Sequence, residues 1–88
     1  MKLVLKEYAD IITLEKIGFK NNLRNFNQNL SPIKFYYDRY KDNKLIYHIY
    51  IYSNNQIVIE TYYPCIIAKE VQRIIYQLTK ADLVELVE

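Results

Sequence analysis

The chain has no tryptophan, one glycine, one cysteine, one histidine and two prolines in 88 residues, and each scarcity closes off a class of function. The single glycine, Gly18, excludes the glycine-rich loops that cradle phosphates, which need several positions without a Cβ. The single cysteine, Cys65, excludes an internal disulfide and fits a reducing compartment. With His48 as the only imidazole, a structural zinc lacks ligands, and no cofactor or metal site is expected. Net charge is only +2 and the basic residues are scattered, so the concentrated basic footprint of nucleic-acid binding is missing. The apolar runs fall far short of a membrane span, and the start MKLVLKEYADI acquires charge too soon for a secretory leader. A cytoplasmic location is expected.

What is present is an ordinary globular composition, 51% hydrophobic and 25% charged, enough for one modest core and one domain over 1–88. Ten tyrosines are the most distinctive feature. Tyrosine, isoleucine, lysine and asparagine are all favoured, and their AT-rich codons hint at an AT-rich bacterial or phage genome.

The periodicity predicts an α+β fold ordered helix, three strands, helix. Val4, Tyr8, Ile11 and Ile12 recur at helical spacing, which predicts a helix over 3–17. It should be closed by Gly18 in a Schellman motif that joins Leu14 to Phe19. Residues 22–30 read equally as a loop or as a short helix packed through Leu23, Phe26 and Leu30. From residue 33 the period becomes two. Strands are expected over 33–41, 44–53 and 56–63, joined by two-residue turns at Asp42-Asn43 and Asn54-Asn55, as a three-stranded antiparallel meander. A helix over 64–78 opens on Pro64 and buries Ile67, Val71, Ile74, Ile75 and Leu78. Thr79 with Asp82 resembles a capping box for a short helix over 80–87.

Two-residue turns would fix the register and sort the side chains. One face would carry Phe35 and Tyr37 beside His48, Tyr50 and Tyr52, then Ile57 and Ile59, under the helices. The other would carry Lys34, Tyr36, Asp38 and Tyr40, then Tyr47, Ile49 and Ile51, then Val58, Glu60 and Tyr62. Three charges are costly to bury unpaired, so this second face is expected outside. An apolar and tyrosine-rich patch rimmed by Lys34, Asp38 and Glu60 is the expected partner-binding surface, unless residues 20–32 or the C-terminal helix fold over it.

Individual reactive residues read as structural. His48, placed between Tyr37 and Thr61, is expected to bond a neighbouring hydroxyl, since no nucleophile is evident for it to activate. Cys65 is expected to be a small hydrophobe. Lys69, Arg73 and Lys80 share one helix stripe that could grip phosphates beside an aromatic sheet, but a solvated helix face accounts for them as well.

The element order is similar to that of the double-stranded RNA-binding domain and of HicA-type ribonuclease toxins over about residues 8–78. PCIIAKE stands where that domain has its Lys-rich helix start, so no site residue is carried over. In size, composition and element order the chain also resembles small accessory proteins of phages and mobile elements in AT-rich Gram-positive bacteria, a group that includes anti-CRISPR proteins. That resemblance implies a non-enzymatic inhibitor that binds a host protein, a CRISPR effector or another defence protein. The alternatives are an RNA-binding or ribonuclease module using Lys69, Arg73 and Lys80, and a homodimer that buries the patch against itself.

Overall fold

Gly18 ends a helix as its position predicts. The computed structural model describes residues 2–22, 32–62 and 64–88, with 64–68 as backbone alone. In it, helix α1 spans Ile11–Ile17 and is capped by Asp10, whose carboxylate accepts from the Ile12 N–H at 3.1 Å and the Thr13 hydroxyl at 2.8 Å. At the other end Gly18 takes φ 130°, its N–H donates to the Glu15 carbonyl, and the Phe19 N–H reaches back to the Leu14 carbonyl at 3.1 Å. Leu14 and Phe19 are both buried, which completes the Schellman motif.

The long helix α2, Pro64–Lys80, closes the same way without a glycine. The Leu83 N–H donates to the Leu78 carbonyl and the Asp82 N–H to the Thr79 carbonyl, both at 3.0 Å, with Asp82 at φ 60°. The expected capping box is therefore corrected. Thr79 turns its hydroxyl back onto the Ile75 carbonyl at 2.8 Å, and Asp82, a residue that tolerates the left-handed region, ends one helix instead of opening another. Ile74 and Leu78 are buried from this helix, and Val71 packs beside them. Ile67 and Cys65 lie outside the residues whose side chains are described.

Both chain ends are strands where helices are expected. β1, Lys2–Leu5, pairs antiparallel with β6, Val84–Val87, from Lys2↔Val87 to Leu5↔Val84. The apolar spacing across residues 4–12 is thus not a helical stripe, and Tyr8 is 92% exposed with Ile11 and Ile12 also exposed. Short apolar runs such as LVL and LVELV fit either period, and the pairing that decides between them joins opposite ends of the sequence.

The larger sheet has four strands in the order β2-β3-β4-β5, namely Lys20–Asn21, Ile33–Lys41, Lys44–Tyr52 and Ile57–Thr61. The α+β class holds, but the expected three-stranded meander gains an edge strand, and a separate two-stranded sheet stands beside it. A Val4↔Gln56 bridge and the Leu5 N–H donating to the Asn55 carbonyl at 2.8 Å tie the two sheets together. Of the stretch 22–30, only Asn22 is described. It follows β2 and donates its backbone N–H to the Lys34 carbonyl at 2.7 Å, and the expected helix falls on residues outside the described ones.

The register departs from the expected one in both hairpins, through a bulge beyond the turn in the first and a longer loop in the second. Asp42 and Asn43 have φ 53° and 64°, and Lys41↔Lys44 and Tyr40↔Leu45 pair as such a turn requires. The next pair is Arg39↔Tyr47, so Ile46 is an extra residue on β4, a β-bulge. In the second hairpin Tyr52 closes on Gln56, its N–H donating to the Gln56 carbonyl at 3.0 Å, and only Asn55 has positive φ. This is a three-residue loop ending in a left-handed residue.

Each change shifts β4 by one residue, and one residue inverts a strand. Tyr47, Ile49 and Ile51 therefore join Phe35 and Tyr37 of β3 and Ile57 and Ile59 of β5 under the helices, at 1%, 1% and 0% exposure. Full burial of each isoleucine is worth about 1.5–3 kcal/mol. The inversion also places His48 opposite Asp38 and Glu60, gathering polar groups on one face. β4 is apolar or aromatic in both phases and cannot choose by itself, so its neighbours choose for it.

Candidate binding face

The outer face of the large sheet is built of two cross-strand rows. Lys20, Tyr36, Tyr50 and Val58 are successive partners across β2, β3, β4 and β5. Asp38, His48 and Glu60 form the next row. Because β3 and β5 keep the phase their sequences suggest, Tyr36, Asp38, Val58 and Glu60 point outward as expected. Tyr40 and Tyr62 are exposed at the same end of the sheet.

Three expected members of this face are corrected. Tyr47, Ile49 and Ile51 are core, because the bulge at Ile46 and the three-residue second loop turn them inward. Lys34 also leaves the rim. A second irregularity, between Ile33 and Phe35, lets its ammonium donate to the Asn55 side-chain oxygen at 2.8 Å, in a crevice shared with Leu5, Leu14 and Phe35. In their place stand His48, Tyr50 and Tyr52, which were expected inside. One signal was available: His48 is the only polar residue within the run LIYHIYIY, and matching it to Asp38 and Glu60 yields the observed register.

The His48 imidazole stacks on the Tyr50 ring at 4.0 Å with 8° between planes, and meets the Tyr62 ring edge-on at 5.7 Å. Tyr50 in turn contacts Tyr52 edge-on at 6.3 Å. His48 is only 5% exposed although it lies on the outer face. Its Nε2 is 3.6 Å from the Glu60 Oε2, beyond hydrogen-bond length. Among the described residues neither ring nitrogen, nor Oδ1 of Asp38, has a hydrogen-bond partner. The expected bond from His48 to a hydroxyl is absent among the described residues. Burial, followed by the nearby Asp38 carboxylate and the neighbouring tyrosines, raises the Tyr50 phenol above its ordinary range.

The basic stripe lies elsewhere. Lys69, Arg73 and Lys80 are exposed on α2, which packs on the inner face, and Arg73 lines a cleft there with Tyr37, Tyr47 and Glu70. Arg39, on the same side, bonds Glu70 at 3.3 Å through its Nε. The stripe and the outer aromatic rows are thus on opposite sides of the sheet and do not form one surface.

Among the described residues no cluster of histidine, cysteine, aspartate and glutamate is arranged to hold a metal ion, and no helix is long and apolar enough to cross a membrane. No protein-family model, curated protein or solved structure matches the chain.

Proposed function

We propose that the chain is a non-enzymatic binding protein that docks on another protein through the outer face of its large sheet. The observation that supports this is the Asp38–His48–Glu60 row with its flanking tyrosines Tyr36, Tyr50 and Tyr62. Rigid aromatic area with polar tips, beside acceptors that lack partners, suits the centre of an interface. The hydrophobic core lies on the other side of the sheet and does not need these groups. Following the resemblance to phage and mobile-element accessory proteins, the partner is a host protein, a CRISPR effector or another defence protein, inactivated by occlusion of its surface. The RNA-binding reading is the less favoured, because its basic stripe lies on the opposite side of the sheet from the outer aromatic rows.

The test uses the full chain immobilised against a lysate of a bacterium carrying such defence systems, with light scattering to detect self-association. Tyr50→Ser with Tyr62→Ser should abolish retention of a discrete protein that Lys69→Glu with Arg73→Glu leaves bound, while both variants keep the wild-type circular dichroism. Equal retention by all three chains, or loss only in the helix variant, contradicts the proposal. A dimer that the tyrosine variant dissociates would assign the face to a second copy.

A further inference from the structure

We infer that the Asp38–His48–Glu60 row, between Tyr50 and Tyr62, is a seat for an arginine side chain presented by a partner protein. The inference rests on the outer face being a docking surface and names the chemistry of what docks there.

Buried polar atoms in folded proteins nearly always have partners. Here Asp38 Oδ1 and both ring nitrogens of His48 have none among the described residues, and His48 is more than nine-tenths buried between two carboxylates. The row is negative, and among the described residues neither Asp38 nor Glu60 has a lysine or arginine partner. Nearby cations are otherwise placed. Arg39 is held by Glu70 on the inner side, and Lys20 stands 6.0 Å over the Tyr36 ring in the adjacent row.

Two carboxylates flanking an imidazole that offers one acceptor nitrogen call for a cation that carries several donors. A guanidinium has five N–H groups in a plane and stacks on aromatic rings, so it can bond a carboxylate with one edge and lie against Tyr50 or Tyr62 with its face. An ammonium carries three donors and no plane, and leaves more of the row unpaired. Lys20 over Tyr36 is an example, within this face, of a cation resting on one of its tyrosines.

His48 is the only histidine, so its imidazole resonance reports on this row without ambiguity. The experiment titrates the protein with N-acetyl-arginine methylamide, its lysine counterpart and the uncharged citrulline isostere, following His48 by NMR. A saturable shift is expected with the arginine probe, a weaker one with lysine and none with citrulline. Asp38→Asn and Glu60→Gln, both close in shape to wild type, should each weaken the arginine probe about tenfold. No saturable shift, an equal response to citrulline, or an affinity unchanged in both variants overturns the seat. A partner protein lost by the Tyr50 and Tyr62 double variant but kept by Asp38→Asn with Glu60→Gln also overturns it, and leaves the docking face intact. Retention by both variants removes the two readings together.

Discussion

Arg39 faces Tyr47 across the first hairpin, while the adjacent Tyr40 faces Leu45. The residue left over, Ile46, turns the central strand over, so that Tyr47, Ile49 and Ile51 become core and His48, Tyr50 and Tyr52 become surface. The location of the candidate binding face follows from that one extra residue and its counterpart in the second loop.

Paired alanine substitutions should distinguish the two phases of β4. Ile49→Ala removes a side chain that is 1% exposed and should cost about 2–5 kcal/mol in urea unfolding. Tyr50→Ala loses the stacking on His48 and should cost only about 1 kcal/mol.

Gly18 should not tolerate any side chain. Its φ of 130° is a conformation L-residues rarely adopt, and an added Cβ would lie 2.5 Å from the Tyr37 ring. Gly18→Ala is expected to destabilise by about 1–3 kcal/mol, measured as a lower urea midpoint at unchanged slope.

The closing turn of α2 offers a milder test. Asp82→Ala puts a β-carbon-bearing residue without a local hydrogen-bonding side chain at φ 60° and should cost about 1 kcal/mol. Asp82→Asn keeps the conformational tolerance, loses only the exposed ion pair with Lys6, and should cost less than about half as much.

Alkaline pH should weaken the fold through Tyr47. Burial, then the Glu70 carboxylate and Tyr37, push its phenol up to about 12 from an ordinary value near 10. The folded state therefore holds this proton more tightly than the unfolded chain. The associated stability is full below about pH 10 and is lost as pH rises toward 12. Urea midpoints should fall across that window, and Tyr47→Phe should flatten the fall.

Legibility in the sequence follows the range of each interaction. Gly18, the Asp42-Asn43 turn and the helix opening at Pro64 are local, and each was readable because a positive φ, a turn type or a 3.6-residue period is written in adjacent residues. β1 and β6 were not, since their partner lies at the opposite end of the chain. The face was half legible. The outward phase of Tyr36, Asp38, Val58 and Glu60 is legible because their strands carry polar residues in one phase. His48, Tyr50 and Tyr52 were missed because β4 reads apolar or aromatic on both sides and a bulge leaves no local mark there.

The most direct test of the account is the set of proton–proton NOEs from the His48 imidazole. They should connect it to the rings of Tyr50 and Tyr62 and to the side chains of Asp38 and Glu60, with none to Leu14, Ile74 or Leu78. NOEs from His48 to those three core residues, with Ile49 close to Asp38 or Glu60 instead, would restore the two-residue-turn register and contradict the account.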